Sequence, residues 1–201
     1  GLDRPLWEQY FTFLGNALQG DLGRSFVFNE PALRLILQKM PATMELAFGA
    51  MFLAILIGLP LGMYAGMRPN SAPSKVIMAG SILGFSLPTF FTGVLFILLF
   101  SITLGWLPSI YDTQLEVTDW PSFVQQVKQM IMPVTVLALF NASQISRYMR
   151  ASMLDNLTQD YARTARAKGV AEHTVLRSHV LRNSMLPIVT ILGLDIALAL
   201  G

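Results

Sequence analysis

The residues equipped to do chemistry are few and widely spaced in this chain of 201 residues. One carboxylate, Asp195, lies inside an apolar run, and Asn141, Ser143, Gln144, Ser146 and Arg147 make a polar end to another. The densest charged cluster is Arg163, Arg166, Lys168, Arg177 and Arg182, arranged around Gly169. No nucleophile stands beside a base in the pattern a hydrolase needs. His173 and His179 are six residues apart, which does not place them on one helical face as a metal pair requires. The absence of cysteine excludes disulfides, iron–sulfur clusters and thiolate zinc sites. No Gly-x4-Gly-Lys-Ser/Thr pattern occurs, so the chain does not cradle ATP phosphates by that route. The scattered methionines read as adaptable packing.

The elements that must position these residues are set by composition. With 53% apolar and 13% charged residues and a mean hydropathy of +0.53, the chain does not describe a soluble globule. A net charge of +2 is too small for a broad nucleic-acid surface, so no nucleic-acid partner is expected. Leu46 to Met67 is free of charge for 22 residues, enough for a helix to cross the roughly 30 Å of bilayer hydrocarbon. Val76 to Tyr111 is free of charge for 36, and a span is expected to end near Leu104, with Gly105, Trp106, Leu107 and Pro108 as an interfacial turn. Gln129 to Ser146 is a third run, whose Asn141, Ser143 and Gln144 imply that one face meets protein or water. A fourth begins near Met185 and reaches Gly201. A soluble helical core is the alternative, but its helices seldom run so far without a charge. Gly58, Pro60, Gly62, Gly66, Gly84, Pro88 and Gly93 fit membrane helices, where small residues allow close approach and neighbours satisfy the carbonyl freed by proline.

Basic residues set the orientation. The connections Arg68 to Lys75 and Arg147 to Arg182 hold nine Lys or Arg, against five in Gly1 to Met40 and Gly105 to Lys128. The first pair is therefore cytoplasmic. The resulting expectation is an all-α polytopic bundle. Residues 1–40 are external, spans cover about 42–67, 76–104, 129–149 and 186–201, and a cytoplasmic loop covers 153–185. With no initiator Met at Gly1 and an apolar run at Gly201, the chain is expected to be a fragment lacking a first and a last span.

The cytoplasmic loop is organised. Asp160 to Lys168 are good helix formers opened by an Asp cap, and Gly169 sits where a helix end needs positive φ. A second helical stretch runs from Glu172 to Asn183, with Pro187 at the entry to the next span. Ala162, Ala165 and Ala167 are small enough for another protein's groove to close around them. The basic residues serve either as a docking surface or as topology signals touching anionic lipid, and the residues alone leave both open.

The segment Asp160-Tyr-Ala-Arg-Thr-Ala-Arg-Ala-Lys-Gly169, with His179-Val-Leu-Arg-Asn183 and Leu186-Pro187-Ile-Val-Thr190 beyond it, resembles the loop of membrane subunits of binding-protein-dependent ABC importers. The dipeptide and oligopeptide permease group is the nearest in pattern. Pro41-Ala-Thr-Met-Glu-Leu46, Gly84-Phe-Ser-Leu-Pro88, Gly105-Trp-Leu-Pro108, Gly1-Leu-Asp-Arg-Pro-Leu-Trp7 and Gly20-Asp-Leu-Gly23 extend the likeness along nearly the whole chain. Arg163, Thr164 and Ala165 stand where the wider family has Glu-Ala-Ala, so a salt bridge from that Glu does not carry over. The later Ile-x-Leu-Pro of the wider pattern falls on His179, Val180, Leu181 and Arg182 and is not matched literally.

The resemblance implies the type I permease fold in the bacterial inner membrane. It implies a second homologous permease subunit, two cytoplasmic ATPase subunits that hold ATP and Mg, and an external substrate-binding protein, with no cofactor on this chain. The ATPase contact is then expected at Ala162, Arg163, Thr164, Ala165, Ala167, Gly169 and Val170. Asp195, Asn141 and Gln144 are expected to line the translocation pathway, or else to pair within the bundle. The cargo class implied is dipeptides or oligopeptides, with nickel or glutathione as alternatives. A channel or secondary transporter would show repeats or several intramembrane charges, and only Asp195 is of that kind.

Overall fold

The computed structural model describes residues 4–200, with side chains described to Ala197. Gly1, Leu2 and Asp3 of the expected external stretch and Gly201 of the fourth expected span lie outside the described residues. The chain forms two compact units, one up to Glu45 and one from Leu46 onward.

In the first unit, helix α1 (Leu6–Leu18) follows Pro5, whose fixed φ suits a helix start. It stops at Gly20, φ +84°, where the N–H groups of Gly20 and Asp21 return to the carbonyls of Ala17 and Asn16 at 3.0 and 2.9 Å. That double bond is a Schellman cap, which needs a residue at ease in the left-handed region. An Arg4–Glu8 ion pair spans the first turn at 3.0 Å, and Arg24 and Pro31 form an isolated antiparallel bridge before helix α2 (Ala32–Met67). The helix expected to open near residue 42 thus begins ten residues earlier and carries Pro41 inside it. Leu33 to Met40 are strong helix formers, and one missing backbone bond does not outweigh them.

The second unit is built on α2 and α5 (Trp120–Leu157). On α2 the small residues Ala50, Ala54, Gly58, Gly62 and Gly66 recur every fourth position, and all are buried. Spacing by four keeps them in one narrow stripe along a helix. A Cβ built at Gly58 would come 2.9 Å from the Ile145 Cβ, one at Gly62 2.6 Å from the Met149 Cβ, and one at Gly66 2.5 Å from the Met153 Cβ. The partners advance by four on both helices together, so α2 and α5 run parallel. The Ser146 hydroxyl also donates to the Gly58 carbonyl at 3.0 Å. A hydrogen bond of that kind contributes only about 0.6 kcal/mol between membrane helices, so the close packing dominates this contact.

The expected single span over 76–104 is instead two helices, α3 (Ala72–Ser86) and α4 (Thr89–Phe96, continued as π-helix through Ile97–Thr103), meeting at 97°. Leu87 is extended (φ −78°, ψ 125°) ahead of Pro88, whose ring disfavours helical backbone in the preceding residue. Because α2 and α5 are parallel, the segment between them must make one net crossing, so the bent pair is a broken span and not a re-entrant loop. Its contacts with α5 descend steadily: Phe85 stacks on Phe140 with centroids 5.4 Å apart, and a 410 Å³ cavity joins Phe90, Gly93 and Ile97 to Met132 and Pro133. Beyond the π-helix the chain turns at Gly105, φ +64°, as the expected interfacial turn requires. Buried Gln129 then fixes the loop, accepting from the Asp112 N–H at 2.9 Å and donating to the Asp112 carbonyl at 3.1 Å.

Helix α5, expected over 129–149, is longer at both ends. Asp119 and Ser122 cap its start reciprocally, with the Ser122 N–H donating to the Asp119 carboxylate at 2.9 Å. The Ser122 hydrogen bond holds the Asp119 carboxyl below its ordinary pKa. At its other end lie α6 (Asp160–Ala167) and α7 (Glu172–Thr174), then a π-helix (Val175–Leu181) that continues into α8 (Arg182–Leu200) without a break at Pro187.

Candidate functional site

The loop between α5 and α8 folds as helix, turn, helix. Asp160 is not the cap: Gln159 occupies that position, extended at φ −68°, ψ 153° with no side-chain bond, and Asp160 lies in the first turn. A carboxylate there still faces the positive end of the helix. At the other end Gly169 has φ +79°, its N–H donates to the Arg166 carbonyl at 2.9 Å, and the Val170 N–H donates to the Ala165 carbonyl at 3.2 Å. These two bonds form a complete Schellman cap. The glycine expected to end the helix does so.

The alanines have a different role from the one expected. Ala162 and Ala165 are buried, at 0% and 8% exposure, in one cluster with Met153, Val175, Val180 and Ile188. They seat α6 against the chain's own helices, so no partner's groove closes on them. Small side chains at positions three apart share a face, and here that face points inward. Val170 packs on the same cluster from its edge. Of the seven residues expected at the ATPase contact, Arg163, Thr164, Ala167 and Gly169 are exposed together on the outer side.

Polar bonds fix α6 further. The Tyr161 hydroxyl donates to the Asn156 side-chain carbonyl, and the Asn156 amide donates to the Ser152 carbonyl at 2.8 Å. Buried Ser184, on α8, donates to the Val180 carbonyl at 2.8 Å, with the Ser152 carbonyl of α5 also within reach of its hydroxyl at 3.3 Å. Sequence reasoning missed this network, because its members are common polar residues with no shared spacing. Arg166, legible in the sequence only as a charge, reaches Glu172 and Leu157 across the turn.

The three expected pathway residues divide. Asn141 and Gln144 are half-buried and, like Asp195, make no side-chain hydrogen bond or ion pair among the described residues. Asp195 lies eleven residues beyond Ser184, and Asn141 eleven before Ser152; eleven residues are about three helical turns, or about 16 Å. Helix periodicity keeps Asp195 on the stripe of Ser184 and Asn141 on the stripe of Ser152, each that far from the contact between the two serines. Gln144 lies off the Ser152 stripe. Ser143 and Ser146 are buried in helix contacts, and the Ser143 hydroxyl occupies the space that a side chain at Gly84 would need.

Residues 58–201 match the family of binding-protein-dependent transport system inner membrane components. Over the whole chain, 44% of residues are identical with a Brucella ovis protein that carries the name of a peptide permease, and 63% of that protein is covered. The oligopeptide transport system permease protein AppB of Bacillus subtilis is 38% identical over all of the chain and 63% of its own length. The glutathione transport system permease protein GsiC of Escherichia coli is likewise 38% identical, over 62% of its length. The chain thus spans less than two thirds of the curated relatives it matches. It belongs to the inner-membrane component family of binding-protein-dependent transport systems, and is an all-helical, multi-pass protein of the bacterial inner membrane.

Proposed function

We propose that the chain is the permease subunit of an ATP-driven importer of dipeptides or oligopeptides. It works with a second homologous permease subunit, two cytoplasmic ATPase subunits that hold ATP and Mg, and an external binding protein. It is a transport subunit, and hydrolysis belongs to the partner. One observation carries the reading: α6 exposes Arg163, Thr164, Ala167 and Gly169 while its inner face is sealed into the core shared by α5 and α8. A displacement applied to the outer face therefore moves two membrane helices as a body, because a close-packed contact shifts as a unit and does not deform. The tagged protein is expected to co-purify from membranes with an ATPase carrying a Walker A motif. A preparation competent in cargo uptake without any such ATPase overturns the proposal and favours a secondary transporter.

Asp195 and Asn141 face the pathway in this reading. A carboxylate within a span is costly unless it meets a polar group or a watery path, and nothing among the described residues supplies the group. A cargo's protonated amino terminus is a fitting counter-charge. Asp195→Gln should lower uptake of a free dipeptide by about tenfold, the worth of one charge-assisted hydrogen bond at about 1.5 kcal/mol, and leave an N-acetylated one unaffected. Equal effects on the two cargoes count against the contact. Glutathione is the second cargo reading, favoured by the name of the E. coli relative.

A further inference from the structure

Arg166 makes three bonds that no regular helix would predict. Its Nε and Nη2 donate to the two carboxylate oxygens of Glu172, each at 2.9 Å, and its Nη1 donates to the Leu157 carbonyl at 3.1 Å. Leu157 is the last residue of α5, where the helix itself supplies no N–H to its carbonyls and its dipole end is negative. Glu172 is the first residue of α7. One planar guanidinium thus joins the end of α5, the last turn of α6 and the start of the helix that runs into α8.

We propose that Arg166 is the positioning residue of the loop, a strut that fixes the angle of α6 between the two membrane helices it is to move; this rests on the coupling role proposed above. Stability is not its purpose. The pair is half exposed, and exposed pairs contribute little to folding. Its value is angular, since a two-pronged contact with a carboxylate restricts direction as a single bond does not. Arg166 and Glu172 are six apart across Gly169, so they meet only when the left-handed turn is formed. The strut and the Schellman cap therefore enforce one another.

The alternative role for Arg166 is a topology signal or a lipid headgroup contact, which any positive charge fills. Arg166→Lys separates the two, because lysine keeps the charge and cannot fork. In proteoliposomes holding the complete transporter with its ATPase and binding protein, cargo moved per ATP hydrolysed should fall by about fivefold in Arg166→Lys and in Glu172→Gln. The double variant should be no worse than either single, because both remove the same contact. In the same samples, hydrogen exchange at the Gly169 and Val170 amides should quicken. An unchanged ratio in Arg166→Lys, or losses that multiply in the double variant, overturns the strut. If the ATPase proves not to engage α6 at all, the coupling role falls by itself, and the exchange rates alone still decide whether the strut holds the turn.

Discussion

Gly62→Val is expected to leave no correctly packed permease in the membrane. A Cβ at this position would come 2.6 Å from both the Met149 Cβ and the Ser146 carbonyl oxygen, and 3.0 Å from the Ser146 Cα. Two of those three atoms are backbone and the third is bonded directly to it, so no rotamer change relieves the clash. The helices must separate, and separation spreads along the stripe to Gly58 and Gly66, where the nearest contacts of a Cβ are 2.9 and 2.5 Å. Even Gly62→Ala should cost about 1–3 kcal/mol, the usual range for overpacking, and valine more. Gly80 and Gly93 serve as controls, since a Cβ there meets nothing within 4 Å and neither has positive φ. Thermal unfolding in detergent should show a large loss for Gly62→Ala, aggregation for Gly62→Val, and near-native behaviour for Gly80→Ala. Equal tolerance at positions 62 and 80 would show that the α2–α5 contact is not as close as described.

Gly169→Val should abolish cargo uptake while ATP hydrolysis continues. Here space is not the issue, since a Cβ at this position meets nothing within 4 Å. The backbone is: φ is +79°, where an L-residue is strained by roughly 1–2 kcal/mol and a β-branched one by more. The chain escapes by rotating out of the left-handed region. That breaks both Schellman bonds and carries Arg166 away from Glu172. Gly169→Asn is the informative companion, because asparagine tolerates the left-handed region and should retain most of the uptake. Paired measurements of uptake and hydrolysis in proteoliposomes check both variants. Full uptake by the valine variant would remove the turn from the coupling role.

The two glycines also show what could be read in advance. Long charge-free runs announce membrane helices because lipid tolerates no unpaired charge, and Gly169 after a run of helix formers announces the stop. The break at Pro88 could not be read, for Pro41, Pro60, Pro133 and Pro187 remain inside their helices. A proline removes one hydrogen bond wherever it falls, and whether the helix bends depends on neighbours far away in the sequence. The small faces of α2 and α6 were visible as spacing, but spacing does not say whether the face meets another part of the chain or a partner. The structure turns Ala162 and Ala165 inward. The link from Arg166 to Glu172 had no periodic signature because it crosses a turn.

In the coupling role proposed above, a partner ATPase pushes on the outer side of α6. The chain has no cysteine, so a cysteine introduced at one position is the only one within these residues. With the complete transporter in the membrane, Thr164→Cys and Ala167→Cys should crosslink to the ATPase subunit, while Ala162→Cys and Ala165→Cys, whose positions are buried, should not. Crosslinks from the buried pair with none from Thr164 and Ala167, or labelling of Thr164→Cys by an impermeant reagent applied outside intact cells, would contradict the account.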